Sequence, residues 1–86
     1  MRFRLTSHAE EELARRTIPR DALESVLSSP QQVVPADRGR KAYQSQLDLG
    51  DGRIFLVRAI VDEADDPATV VTVYRTHKIA KYWRSP

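Results

Sequence analysis

One arginine stands inside an otherwise apolar run: Arg58, between Leu56-Val57 and Ala59-Ile60. On strand alternation it shares a face with Ile54, Leu56 and Ile60. A guanidinium there needs either a counter-charge or an open side of the sheet, because an unpaired buried charge is costly. Two readings follow: a salt bridge to Asp48 or Asp62 at the strand ends, or a clamp for a phosphate on an uncovered sheet face. The C-terminal segment carries related chemistry more densely. Asp62, Glu63, Asp65 and Asp66 form an acidic cluster, and no acidic residue follows Asp66. Arg75, Lys78, Lys81 and Arg84 come after it, with His77, Tyr74, Tyr82 and Trp83 among them. That mixture suits a polyanion such as RNA, since cations neutralise phosphates while aromatic faces stack on bases. The plainer reading is a solvated terminal helix, with Ile79, Tyr82 and Trp83 spaced to dock an apolar side on the domain.

A second polar group is His8, with Glu12 one turn later and Arg15 or Arg16 beyond. At a helix start the dipole disfavours a protonated imidazole, so His8 suits a neutral acceptor or base. The structural alternative is a histidine bonded to backbone or to Glu12. Other chemistries are disfavoured. There is no cysteine, which excludes a disulfide scaffold, a thiolate metal site and a cysteine nucleophile. The two histidines stand far apart, and the acidic cluster matches no EF-hand spacing, so no metal is expected. Gly39, Gly50 and Gly52 occupy apparent turns rather than a phosphate-cradling loop, so nucleotide hydrolysis is disfavoured and no cofactor is expected. No apolar run approaches the roughly 18 residues of a membrane span. The N-terminus lacks the apolar stretch of a signal peptide. The expected location is the cytoplasm, with no membrane partner.

These groups must be positioned by a small scaffold. The chain has 86 residues, enough for one domain over residues 1–86 with one modest core. Phe3-Arg4-Leu5 predicts a short strand. Ser7 predicts a helix N-cap, with Glu10 completing a capping box, and the helix then runs from about His8 to Arg16. Pro19 suits the first turn of a second helix, whose apolar stripe is Ile18, Ala22, Leu23, Val26 and Leu27. A strand starts near Gln32. Arg38-Gly39-Arg40 reads as a turn. Tyr43, Ser45, Leu47 and Leu49 alternate with polar residues, as in a half-buried strand. Gly50-Asp51-Gly52 signals a hairpin. Ile54 to Val61 is apolar on both faces and predicts a central strand. Val70 to Tyr74 is another. The order predicts an α+β fold, two N-terminal helices packed on one face of a four- to five-stranded, mainly antiparallel sheet. The other face should be partly exposed, for lack of a third layer.

This layout resembles a family known as domain of unknown function 4258, which looks like a branch of the RelE/ParE/BrnT-like toxin superfamily. The resemblance is carried by Thr6-Ser7-His8-Ala9, by Arg16-Thr17-Ile18, and by the run from Val70 through Val73-Tyr74-Arg75-Thr76-His77-Lys78-Ile79-Ala80-Lys81 to Tyr82-Trp83. The sequence departs from the pattern at two places: Glu12 stands where many relatives carry Arg, and His77 where Ser is common. A glutamate at the first would oppose a phosphate contact.

The resemblance implies a RelE-like toxin fold and an mRNA interferase of a toxin–antitoxin system. Its partners would be RNA, presented by the ribosome, and a small acidic antitoxin. Metal-free RNA cleavage requires that the 2′-hydroxyl lose a proton, that the phosphorane meet positive charge, and that the leaving 5′-oxygen gain a proton. RelE-like toxins resemble this scheme with Lys, Arg and Tyr. On that reading Arg58, Tyr74, Arg75 and Lys78 are the expected catalytic residues. Lys41, Tyr43, Lys81, Tyr82 and Arg84 are the expected RNA contacts, and His8, Glu12 and Arg16 form a polar site on the first helix. The alternative is a non-catalytic RelE-like binding domain that acts through a protein partner.

Overall fold

The computed structural model describes residues 2–85. Strand β1 (Phe3–Leu5) leads into α1 (Ser7–Arg15) and α2 (Arg20–Ser28). Strands β2 (Gln32–Pro35), β3 (Lys41–Asp48), β4 (Ile54–Asp62) and β5 (Ala68–Thr76) follow, and a short helix α3 (Ile79–Tyr82) ends the fold. A single 3-10 turn, Asp37–Gly39, joins β2 to β3. The sheet order is β1-β5-β4-β3-β2. β2 to β5 form an antiparallel meander, and β1 returns to pair parallel with the start of β5, so the sheet is mixed.

Both long helices lie on one sheet face. Ala9 and Leu13 of α1, with Ile18, Leu23 and Val26 at α2, bury themselves against Tyr43, Val57, Ala59, Val61, Val70 and Val73. These strand residues alternate with a second set pointing the other way. Leu56 and Arg58 on β4, Ala42 and Gln44 on β3, and Tyr74 on β5 belong to that second face, as their direct cross-strand pairing requires. This face is partly exposed, as the sequence predicts, with Ile54 at 49%, but its centre is covered. α3 and the residues after it fold across it, so that Gln44 is completely buried. Gln44 Nε2 donates to the carbonyl of Tyr82 (3.2 Å), Gln32 Nε2 donates to that of Arg84 (2.5 Å), and the Arg84 N–H donates to Gln32 Oε1 (3.1 Å). Two glutamines thus supply the partners that a short C-terminal arm cannot make for itself.

The helix ends show where local signals yielded to tertiary ones. The N-cap of α1 is Thr6, not Ser7: its Oγ1 accepts from the Ala9 N–H (3.0 Å) and donates to the carbonyl of Val71 (2.9 Å). One hydroxyl therefore caps the helix and ties it to β5, and Glu10 is left to pair with Arg20 instead of closing a capping box. Pro19 stands at the N-cap of α2 rather than within its first turn. At the other end of α1 the Ile18 N–H returns to the Leu13 carbonyl (2.9 Å) and the Thr17 N–H to that of Ala14 (3.2 Å). This is the Schellman arrangement, completed by the buried pair Leu13 and Ile18. It puts Thr17 at φ 53°, a left-handed conformation that a β-branched residue adopts reluctantly.

Two stability outcomes follow. Thr17→Gly should stabilise the fold by about 1 kcal/mol, because it relieves that conformation. Thr6→Ala should cost about 1–2 kcal/mol through loss of the cap and the Val71 tether, whereas Ser7→Ala should be near neutral. Urea unfolding midpoints would check all three, and equal losses at positions 6 and 7 would contradict the assigned cap.

Candidate functional site

The centre of the second face is a polar cluster built on three adjacent strands. Arg58 stands directly across from Gln44 on one side and Tyr74 on the other. Its Nε donates to Gln44 Oε1 (2.7 Å) and its Nη1 to the Tyr74 hydroxyl (2.5 Å). The guanidinium also lies 4.2 Å from the ring centre of Tyr82 and 5.7 Å from that of Tyr74. The two tyrosine rings meet edge to face at 6.2 Å. Gln44 then passes the constraint on, donating to Gln32 Oε1 (2.8 Å). Arg58 is only 8% exposed, yet among the described residues it forms no ion pair; neither Asp48 nor Asp62 reaches it. Neutral hydrogen bonds and aromatic faces hold the charge instead.

Arg58, Tyr74 and Tyr82 line a cleft of about 570 Å3 together with Arg38, Arg40 and Asp37 of the β2–β3 connection. Three guanidinium groups against one carboxylate make the cleft electropositive. Arg38 at φ 62° and Gly39 at φ 73° give the turn the shape that brings both flanking arginines to the cleft wall. A larger hollow of about 830 Å3 lies on the other face, lined by Phe3, Leu5, Leu23, Leu27 and Tyr43. Arg20, Glu24 and Ser28 also line it, but its one cation lies beside a carboxylate and no cations converge there, so the smaller cleft is the better candidate for polar chemistry.

The environments of the two cleft tyrosines differ. Burial pushes the Tyr74 phenol up, with Arg58 opposing. Tyr82 is held below the usual phenol value: desolvation works against this, but Lys81, the Tyr74 hydroxyl and Arg58 outweigh it. Two phenols displaced in opposite directions beside one cation can divide the roles of proton donor and acceptor.

The helix 1 group joins this site only in part. Glu12, 6% exposed, takes Arg15 through Nε and Nη2 (2.6 and 2.7 Å) and Arg16 through Nε (3.1 Å). The Arg15 and Arg16 hydrogen bonds hold its carboxyl at about 2 instead of 4.5. Arg16 in turn lies 5.8 Å from the Tyr74 ring. His8 is exposed and takes no part, because the Glu12 carboxylate is committed to the two arginines.

Other expected residues lie elsewhere. Register sends Lys41 and Tyr43 to the helix-bearing face, where the Tyr43 hydroxyl donates to Glu63 (2.5 Å) and burial together with Glu63 raises its phenol to about 12. Arg75 also points to that face and packs 4.7 Å from the ring of Phe55. Strand alternation separates all three from Arg58. Lys78 is exposed at the N-cap of α3, and Arg84 is exposed with its backbone on Gln32. Lys81 is exposed and lies 5.2 Å from the Tyr82 ring. Sequence reasoning missed Gln44, Arg38 and Arg40. The alternation of the strand from Lys41 already placed Gln44 opposite the residues of the apolar face, which was the available signal.

Among the described residues no three His, Asp or Glu side chains converge as a metal site would require, and no helix is long and apolar enough to cross a membrane. A family model described as Domain of unknown function (DUF4258) matches residues 5–75. That span contains Gln44, Arg58 and Tyr74 and ends before Tyr82. No curated protein and no solved structure matches the chain.

The Glu12 pairing predicts a pH effect. A carboxyl depressed from 4.5 to about 2 adds stability that is fully present above pH 4.5 and is lost as pH falls toward 2. Glu12→Gln should therefore melt below the wild type at neutral pH, and the gap should close over that window. A gap independent of pH would show that the Glu12 charge does not matter.

Proposed function

The chain belongs to the family Domain of unknown function (DUF4258), and from its site we propose an RNA-binding protein of the RelE/ParE/BrnT-like toxin kind that grips the ribose-phosphate backbone in the Arg58 cleft and cleaves it without a metal ion. The supporting observation is the nearly buried Arg58, which has no carboxylate partner among the described residues and lines a cleft with Arg38 and Arg40. A charge kept there without a counter-ion is costly, and a phosphate is the anion that planar, bidentate donors fit best. The flanking tyrosines offer faces for bases or ribose.

In the proposed reaction the 2′-hydroxyl gives its proton to the Tyr82 oxygen in its phenolate form, and the 2′-oxygen attacks phosphorus. Arg58 meets the charge on the phosphorane. The 5′-oxygen departs with a proton from Tyr74, leaving a 2′,3′-cyclic phosphate. The implied setting is the bacterial cytoplasm, with ribosome-associated mRNA as substrate and a small acidic antitoxin as partner for the basic cleft. A non-catalytic role through a protein partner is the second reading. It is favoured by the same hydrogen bonds from Arg58 to Gln44 and Tyr74, which suit tight anion binding as well as turnover.

Two variants test the proposal. Arg58→Lys keeps the charge but loses the fork, and should lower RNA cleavage at least tenfold, about 1.4 kcal/mol of transition-state stabilisation. It also strips Gln44 Oε1 of its buried donor, costing about 1–3 kcal/mol of stability. Arg38→Gln with Arg40→Gln avoids that confusion, because these side chains sit at the cleft mouth. It should leave melting unchanged, weaken single-stranded RNA binding and reduce the salt slope by about 1.4, two contacts at about 0.7 each. Binding without cleavage would remove the catalytic step; no binding by the wild type at low salt would remove the RNA reading and leave the second, a protein partner.

A further inference from the structure

Positive charge continues past the cleft around one edge of the sheet. β1 pairs only with Ala68, Thr69 and Val70, so the outer edge of β5 from Thr72 to Thr76 has no strand beside it. Arginines stand on both sides of this free edge. On the second face, Arg16 reaches from the end of α1 to the Tyr74 ring, next to Arg58. On the first face, Arg75 lies 4.7 Å from the ring centre of Phe55, and Arg53 lies 5.4 Å from the same ring.

The Phe55 group resembles Arg58 in one physical respect. Arg75 is half-buried, yet it enters none of the ion pairs and none of the side-chain hydrogen bonds among the described residues. Its donors are held in place by the ring and left unmatched. Arg53 has one carboxylate, Asp51 at 3.5 Å, with both side chains largely exposed. Such a contact contributes little in water and yields readily to a phosphate.

We propose that a single-stranded polynucleotide lying in the Arg58 cleft continues over the free edge of β5, and that Arg75 and Arg53, on either side of Phe55, take its flanking phosphates as a second subsite. This rests on the RNA reading of the cleft and extends it to the substrate: an unpaired strand long enough to span both faces. Tyr74 and Arg75 are neighbours on β5 that point to opposite faces, so the route is short but turns sharply past Arg16. A duplex, with a persistence length of about 50 nm for DNA, cannot follow that turn. A single strand can.

The test compares oligouridylates of about three and about ten nucleotides by fluorescence anisotropy at two salt concentrations. Wild type should bind the longer probe at least tenfold more tightly. Arg53→Gln with Arg75→Gln should abolish that gain and reduce the salt slope on the longer probe by about 1.4, while leaving the short probe unaffected. Arg53→Lys with Arg75→Lys keeps the charge and should retain the slope, which separates loss of charge from loss of packing on Phe55. Wild-type affinity of the Gln variant for both probes would overturn the second subsite while leaving the cleft standing. Double-stranded RNA bound with the same dependence on Arg53 and Arg75 would overturn the wrapped path. Failure of wild type to bind either probe at low salt would overturn the RNA reading itself.

Discussion

The second face of the sheet is organised by one constraint: the guanidinium of Arg58 sits on the central strand β4, nearly buried and without a carboxylate among the described residues. A charge in that position is tolerated only when its donors are matched and its faces are covered. Gln44 and Tyr74 supply acceptors from the two neighbouring strands, and Tyr82 supplies the aromatic face from the C-terminal arm. Gln44 in turn needs partners for its amide and finds them in Gln32 and the Tyr82 carbonyl. The position of the arm, the partial covering of the second face and the shape of the cleft all trace back to satisfying this one side chain.

The helix-bearing face solves a different problem by ordinary means. Apolar residues from α1 and α2 fill the space over Val57, Ala59, Val61, Val70 and Val73, with small alanines where helix and strand come close. Thr17 accepts a left-handed backbone so that the turn between the helices can close over Leu13 and Ile18. Burial of that pair is worth more than the local conformational cost, which is how tertiary packing overrides residue preference.

The two faces communicate at the edge of β5. Thr6 anchors the start of α1 to Val71, and the end of the same helix places Arg16 near Tyr74. Glu12 lies between them and binds Arg15 and Arg16. The acidic residue that departs from the pattern of resembling sequences therefore does not set a bare negative charge against the site. It neutralises part of the local charge and fixes the direction of Arg16.

Much of the scaffold was legible in the chain alone. The apolar stripe of α2, the alternation in β3, the two-sided apolar run of β4 and the turn residues around Gly50 are local signals, and local signals suffice to define elements. Their order was enough to predict two helices on one face of a mainly antiparallel sheet. The oddity of Arg58 was also visible, because a cation inside an apolar strand violates the pattern wherever it occurs. Its partners were not. Whether Arg58 meets Asp48, Asp62 or neutral groups depends on strand register, which pairs residues many positions apart and flips the face of each with a shift of one. Register separates Arg75, Lys41 and Tyr43 from Arg58 despite their suitable chemistry, and brings in Gln44 from the middle of a polar alternation. The path of the C-terminal arm was undetermined for the same reason. Four helical residues carry too little local preference to choose a docking site, and the choice falls to the buried amides and the guanidinium that the assembled sheet presents.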